Sequence, residues 1–503
     1  MKETNNTSNN KHTRKKTKVF LTGATGVMGF QTLKEFMKYP EDYEIRVLSR
    51  DSKKNRNKLQ PYMENYGVTV VWGDLRNQQD VESAMGDSEY VLHIGGMVSP
   101  LADHFPELTM DVNINGAKNI VRAIKKRKDR DNVKLVYIGS VAQTAHRHEP
   151  HHWGRTGDPI MAALYDEYAV SKIKAELIVA ESGLRHWVSL RQSGILHPGL
   201  IFKGSDPISF HVPLRGVLEW ATVEDSARLM VGICSRPLGD NFWNKFYNIG
   251  SGTSFRLSNY EFEKLLLKSL GCPPPEKCFD TSWFATRNFH GEWYLDSDLL
   301  NSLIPFREEI TAEEYFNRMA KSMPWWMKLT PLAPAFLIKC GMKFVARSKK
   351  LGTLNWLANK DNEARINAFF GGREEQKNIP GWKDFDLSRP SEKGLPLNYG
   401  YNYENLTEQP GLKETMEAAS YRGLEYIGKS DSDDKNIIDI PLLWKCKHCG
   451  TQFEMRPRTM LLGGHWCPDC ECEPLNYAKI AETNPFVAQV WNDSHNDNHN
   501  DSH

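Results

Sequence analysis

Residues 18–36 read KVFLTGATGVMGFQTLKEF. Val19, Phe20 and Leu21 form the short apolar run of a strand buried on both faces. The next eight residues, TGATGVMG, break that pattern before apolar positions resume at helical spacing. A strand, a glycine turn and a helix therefore follow one another. Gly23 suits the tight turn, Gly26 lets a ligand approach the backbone, and Gly29 lets the helix pack close to the strand, so an anion can sit at the helix N-terminus. The expected guest is a dinucleotide, with Gly23, Thr25, Gly26, Val27, Met28 and Gly29 around its phosphates.

The flanking sequence repeats the alternation. A second strand at 44–48 runs into Ser49-Arg50-Asp51-Ser52-Lys53-Lys54, where the residue that reads the adenosine ribose is expected. An acid there favours NAD. Arg50 offers a planar fork suited to a 2′-phosphate, with Lys53 and Lys54 beside it, so NADP(H) is favoured over NAD(H), and Asp51 keeps NAD open. A third strand at 68–72 ends in Gly73-Asp74-Leu75 and a fourth at 90–94 in Gly95-Gly96, which adds Asp74, Leu75 and Gly95 to the expected cofactor set. With a helical stretch at 111–127 and a strand at 134–138, the pattern predicts a doubly wound parallel α/β sheet of Rossmann type.

At 503 residues, 40% hydrophobic and 25% charged, the chain can bury a sizeable core and divide into two to four domains. A formal charge of +1, from 64 basic and 63 acidic residues, gives no global attraction to nucleic acid or anionic lipid, so nucleic acid is not an expected partner. Nine cysteines, four of them in two C-x-x-C pairs, suit a reducing compartment and a metal site, and hence a cytoplasmic location. The basic residues of the first 17 positions precede no apolar core of their own, so that stretch reads as a disordered tail and not a signal peptide.

After the strand at 134–138 stands Gly139-Ser140-Val141-Ala142, and Tyr165-Asp166-Glu167-Tyr168-Ala169-Val170-Ser171-Lys172 later opens a helical segment. Four residues apart on a helix, Tyr168 and Lys172 share a face. The ammonium is then expected to lower the phenol pKa from its reference near ~10, letting Tyr168 exchange protons near neutrality. Ser140 is expected to hydrogen-bond the substrate oxygen.

Taken together, TGATGVMG, Asp74-Leu75, Asn113, GSVA at Ser140 and YAVSK at Tyr168 resemble the extended branch of the short-chain dehydrogenase/reductase superfamily, the NAD-dependent epimerase/dehydratase type. The resemblance covers roughly residues 18–318, with further matches at Arg191, Pro198-Gly199, Asp225 and 247–252. It implies that Ser140, Tyr168 and Lys172 are catalytic and that Tyr168 and Lys172 also contact the nicotinamide half of the cofactor. Sugar-nucleotide members usually read LRPFNVYGPG after the sixth strand, with an asparagine that helps hold the substrate diphosphate. Here that slot is Gly194, flanked by Gln192 and His197. The departure implies a hydroxyl or ketone substrate without a nucleotide handle, small and lipophilic, as in members similar to 3β-hydroxysteroid dehydrogenases and dihydroflavonol reductases. The alternatives are a sugar-nucleotide epimerase or dehydratase and a non-enzymatic NAD(P)-sensing protein.

His146 to Trp153 form a histidine-rich loop, expected to be a surface substrate lid and not a metal site; His211 and Trp220 are expected in the core, with the pocket wall as the other option. Residues 325–350 are apolar, aromatic and edged with lysine, yet have no uncharged run of the ~20 residues needed to span a membrane. A helix packed on the enzyme is preferred to a peripheral membrane or lipid contact. Residues 371–434, polar and rich in Pro, Gly and Asn, read as an extended linker with one helical patch at 412–421. Cys446, Cys449, Cys467 and Cys470, two C-x-x-C pairs seventeen residues apart, predict a structural Zn2+ in a small ribbon built on two hairpins and separable from the enzyme. The expected division is 1–17 tail, 18–200 Rossmann domain, 201–325 substrate lobe, 326–435 accessory segment and linker, 436–480 ribbon and 481–503 tail. A homodimer is left open.

Overall fold

The computed structural model describes residues 15–202, 206–325, 330, 332–401, 411–428 and 437–495. Most of the expected N-terminal tail, residues 1–14, and residues 496–503 lie outside these, as do 326–329 of the aromatic stretch and parts of the expected linker. The rest of the expected C-terminal tail is not disordered: Pro485–His495 form a helix that buries Phe486, Val487 and Val490.

Seven strands form one parallel sheet: β1 (Thr17–Thr22), β2 (Tyr43–Ser49), β3 (Thr69–Trp72), β4 (Tyr90–His93), β5 (Lys134–Ser140), β6 (His186–Gln192) and β7 (Lys245–Ile249). Their spatial order is β7-β6-β5-β4-β1-β2-β3. Leu21 pairs with Val47 on one side and Leu92 on the other, so β1 lies centrally and the winding reverses between β1 and β4. Helices α1 (Val27–Phe36), α2 (Lys53–Tyr66), α3 (Gln78–Met85), α4 (Pro106–Lys126), α5 (Glu167–Ala180) and α6 (Val223–Ser235) surround the sheet.

The continuous apolar runs of the strands follow from burial on both faces. Val19 and Leu21 enter a core with Leu33, Phe36, Leu229 and Ile233 of α1 and α6. Phe20 enters the opposite core with Ile120, Val121, Ala175 and Val179 of α4 and α5. Full burial of each such side chain contributes roughly 1.5–3 kcal/mol. Reversal of winding at β1/β4 opens a crevice beyond the C-terminal ends of these two strands, where α/β sheets bind ligands.

The histidine-rich loop is not a surface lid. His146 is buried with Nδ1 2.8 Å from Phe289 O, and His152 holds Ser391 O at 2.7 Å. His151 pairs with Asp493 of the C-terminal helix. These three rings are committed to different segments. Among the described residues, His148 is exposed and bonds only Glu149 O within the loop, and the His/Cys/Asp/Glu cluster able to hold a metal is the cysteine set alone.

Residues 378–401 lack regular structure but form a strap along the molecule. Leu395 N donates to Pro150 O at 2.9 Å, Trp382 Nε1 to Phe279 O at 2.8 Å, and Tyr399 Oη to Asp158 at 2.8 Å. Along the chain, α7 (Ala335–Ala346) precedes the strap and α8 (Leu412–Tyr421) follows it, the latter at the positions read as a helical patch. Then β8 (Leu424–Tyr426), β9 (Leu442–Cys446) and β10 (Gln452–Met455) make a small antiparallel sheet, followed by α9 (Pro457–Gly463) and α10 (Pro485–His495).

Candidate active site and cysteine centre

Past β1 the chain turns through Gly23 at φ +75°, where a Cβ would stand 2.8 Å from Gly95 Cα. A Cβ on Gly29 would stand 2.3 Å from Gly23 O, so α1 packs onto the turn only with glycine there. Gly26 is different: its Cβ would meet Gly23 O at 3.2 Å and nothing else within 4 Å, which leaves the backbone open. Gly26 caps α1 without a side-chain hydrogen bond, and the first turn carries no acid. Uncapped N–H groups and the positive end of a helix dipole face this opening, which suits a diphosphate. Thr25 O accepts from Lys58 Nζ at 2.9 Å, Val27 is exposed, and the Met28 side chain is buried, so Met28 can meet a cofactor only through its backbone. Gly95 N donates to Thr22 Oγ1 at 2.9 Å, and Leu75 lies against Gly95. Asp74 pairs with Arg76 at 2.9 Å, which holds its carboxyl below the usual range.

Beyond β2, Arg56 grips Asp51 through two bonds of 2.6 Å and stacks over Trp72. Arg50 is exposed, and its guanidinium has no hydrogen bond or ion pair among the described residues. The acid that kept NAD open is thus occupied, and the arginine is free.

Ser140 ends β5 and Tyr168 lies in the first turn of α5, capped by Asp166, which accepts from Ala169 N at 2.8 Å. Burial pushes the Tyr168 phenol up to about 12, the Ser140 hydroxyl opposes that shift, and Asp166 and Asp103 add to it. Lys172 is not among the groups acting on the phenol. Its Nζ donates to Ile138 O at 2.5 Å and lies 4.6 Å from the Tyr137 ring centroid, and burial draws it down to about 8. Helical spacing correctly places the two side chains on one face, but the expected depression of the Tyr168 pKa is corrected, because the ammonium folds back onto β5. Asn113 braces the site: it takes Met97 N at 2.8 Å and reaches Ser171 Oγ at 2.8 Å, and Ser171 in turn donates to Tyr168 O at 2.7 Å.

A cavity of about 240 Å3 lies beside the N-terminus of α5. Asp103, Asp166 and His290 line it together with Lys350 and Arg365. The last two belong to the stretch read as accessory, and nothing in their local sequence signalled a place in this wall. Arg365 stacks on Tyr165 and Trp356, and Tyr165 itself takes a strained φ of +66°. His211 reaches the same wall but is a core histidine, bonded to Leu351 O at 2.7 Å and drawn down to about 4 by burial. At Gly194 a Cβ would stand 2.8 Å from the Trp220 ring, which stacks on Phe262. The indole fills the space an asparagine side chain would need.

The four thiols of Cys446, Cys449, Cys467 and Cys470 converge, all within 4.8 Å of one another, with edges of 3.8 and 3.6 Å. Zn–S bonds near 2.3 Å in a tetrahedron give edges of about 3.8 Å, so the donor set and spacing suit zinc. Cys446 and Cys449 stand on the β9–β10 turn, as expected. The second pair does not sit on a hairpin: Pro457 starts α9, Gly464 ends it at φ +75°, and Cys467 and Cys470 follow in a short turn.

This centre packs directly on the α5 side of the candidate site. Trp466 Nε1 donates to Ile160 O at 2.8 Å, Ala162 N donates to Tyr477 Oη at 3.0 Å, and Arg191 donates to Gly463 O at 2.6 Å. Ala145 and Met161 share one apolar core with Trp444, Trp466 and Tyr477. The expectation of a separable ribbon meets a common core instead.

Residues 19–195 match the NAD dependent epimerase/dehydratase family. Within that span fall the glycine turn, Ser140, Tyr168 and Lys172. Over 109 residues the chain is 33% identical to the UDP-glucose 4-epimerase of Rickettsia bellii (strain OSU 85-389), covering 21% of this chain and 32% of that protein. Over 114 residues it is 31% identical to the UDP-glucose 4-epimerase of Rickettsia prowazekii, covering 22% and 33%. The chain thus spans about a third of the length of these curated relatives. Among solved structures, the dTDP-glucose 4,6-dehydratase DesIV of Streptomyces venezuelae, with NAD and TYD bound, aligns at TM-score 0.48 and 18% identity, covering 60% of this chain and 96% of that one. The UDP-glucose 4-epimerase of Thermus thermophilus, in complex with NAD, aligns at TM-score 0.46 and 18% identity, covering 60% and 98%.

Proposed function

We propose that the chain is an NAD(P)-dependent enzyme that oxidises a carbinol carbon, or reduces the corresponding carbonyl carbon, of a small, polar, hydroxylated substrate. The observation that carries this reading is the Ser140–Tyr168 pair, set where β5 and α5 flank the crevice opened between β1 and β4. As a neutral phenol held near 12, Tyr168 is set to donate its proton to a carbonyl oxygen that Ser140 also holds. In the reverse direction Tyr168 takes the hydroxyl proton. A bound nicotinamide supplies hydride transfer and, when oxidised, a positive charge that favours phenolate. Lys172 commits one of its three N–H donors to Ile138 O, which leaves donors for a ribose hydroxyl. The free Arg50 beside an occupied Asp51 supports NADP(H) over NAD(H). The cysteine geometry supports a closed, structural zinc.

On substrate class, the names of the relatives favour sugar chemistry over the steroid-like molecule first expected, while the cavity beside α5 sets Asp103, Asp166, His290, Lys350 and Arg365 among apolar side chains such as Leu164, Ile208 and Phe369. Trp220 against Gly194 speaks against a diphosphate held at that slot. A panel of sugar nucleotides, free polyols, sugar acids and sterols, followed by reduced-nicotinamide absorbance and by NMR of the sugar, tests the assignment. Turnover confined to the polar members is expected. Turnover confined to sterols would overturn the substrate class, and tight cofactor binding with no turnover at all would favour a sensing protein.

A further inference from the structure

Helix α7 is apolar on two sides. Ile338, Met342 and Val345, spaced four and three apart, pack on a core with Phe279, Trp283 and Phe284. The opposite side carries Phe336, Leu337, Cys340 and Phe344, and Phe336, Leu337 and Phe344 are 63%, 52% and 79% exposed. Leu332, just before the helix, and Trp325 are 78% and 76% exposed. Isolated exposed leucines need no explanation, but five large apolar side chains on one short stretch do.

Charge decides what covers this face. No Asp or Glu stands between Glu314 and Asp361, whereas Lys339, Lys343, Arg347, Lys349 and Lys350 stand on or just after α7. Lys339 is paired with Asp280 and Lys350 rests on backbone carbonyls. Lys343, Arg347 and Lys349 are exposed, and their side chains have no ion pair among the described residues. A face of Phe and Leu beside unpaired cations is the composition of a helix lying in a membrane interface, with the aromatics among the acyl chains and cations at anionic headgroups. No described helix is long and apolar enough to cross a membrane, so the contact is to one surface. We propose that the α7 face docks on anionic lipid bilayers and holds the protein at a membrane surface. The near-zero net charge of the whole chain does not oppose this, because the attraction is local and falls off within about 10 Å at ordinary salt.

The test is co-sedimentation of the full-length protein with sucrose-loaded vesicles of phosphatidylcholine alone or with about 30% phosphatidylglycerol. The expected result is partition onto the anionic vesicles at least about tenfold stronger than onto neutral ones, since each cation near such a surface contributes about fivefold. Phe336→Ser with Phe344→Ser should abolish it, and Lys343→Glu with Arg347→Glu should reduce it at least tenfold. Both pairs change solvent-facing positions, and circular dichroism of each variant checks the fold. No pelleting with anionic vesicles, or pelleting unchanged in both double variants, would overturn the proposal. So would sedimentation equilibrium showing a dimer that the phenylalanine variant splits while vesicles bind neither form, because the face would then join two copies of this chain.

Discussion

His465 Nε2 stands 3.1 Å from Glu176 Oε1, in a fully buried pair that ties the cysteine-bearing segment to helix α5 one turn beyond Lys172. Glu176 also binds Arg191 at 2.6 Å and accepts from Ser189, while His465 Nδ1 faces Glu471 at 3.0 Å. Breaking such a network by removing one member costs about 3–5 kcal/mol, because the remaining charges stay buried.

Zinc removal should therefore reach the candidate active site. Chelation or Cys467→Ser is expected to loosen the Trp466–Ile160 and Tyr477–Ala162 contacts and lower kcat at least about tenfold, with cofactor affinity within about threefold of normal. A chain ending before Ile437 should be unstable, since it would bare Glu176 and the core around Met161. Stopped-flow turnover with fluorescence titration of the cofactor reads both quantities. Unchanged kcat in the metal-free protein would separate the two parts after all.

Lys172 predicts a pH dependence of stability. Its folded pKa near 8 lies below the reference of 10.5, so between these values the unfolded chain binds more protons and stability rises with pH. Below about 8 the buried ammonium lowers stability by roughly 3 kcal/mol, from about 2.5 pH units at 1.36 kcal/mol each. Lys172→Met should raise the melting temperature at pH 7, lose that advantage by about pH 10.5, and abolish turnover. Chemical denaturation across this pH range would show it. A destabilised variant at pH 7 would mean the ammonium is better paired than Ile138 O alone allows.

Arg50→Ala should weaken NADP(H) binding about tenfold to a hundredfold and leave NAD(H) nearly unchanged, because a charged hydrogen bond to the 2′-phosphate is worth about 1.5–3 kcal/mol. Calorimetry with both cofactors checks it, and equal losses would remove Arg50 from the ribose site.

The sheet was legible in the sequence because each parallel strand is buried on both faces and so reads as an apolar run, as at Val19 to Leu21. The glycine turn was legible because backbone clashes at Gly23 and Gly29 admit nothing larger. Spacing placed Tyr168 and Lys172 on one helix face but could not say that the flexible lysine side chain turns to Ile138 O. Arg365 and Lys350 were out of reach for a different reason: a cavity wall assembled from segments as far apart in sequence as Ser99 and Phe369 leaves no periodic trace in any of them. The strap at 378–401 reads as linker because the bonds that hold it to the rest of the molecule, such as Leu395 N to Pro150 O and Ser391 O with His152, join residues about 240 apart in sequence and so leave no periodic pattern along it.

The central claim is that Tyr168 moves the proton in a reaction at a carbinol or carbonyl carbon. Single-turnover measurement of hydride transfer by Tyr168→Phe, on the substrate found by the panel and with cofactor affinity measured in parallel, tests it most directly. Loss of at least about a hundredfold in rate with cofactor affinity preserved is predicted, since the variant removes the proton and keeps the ring. A rate within about threefold of the unaltered protein would contradict the account.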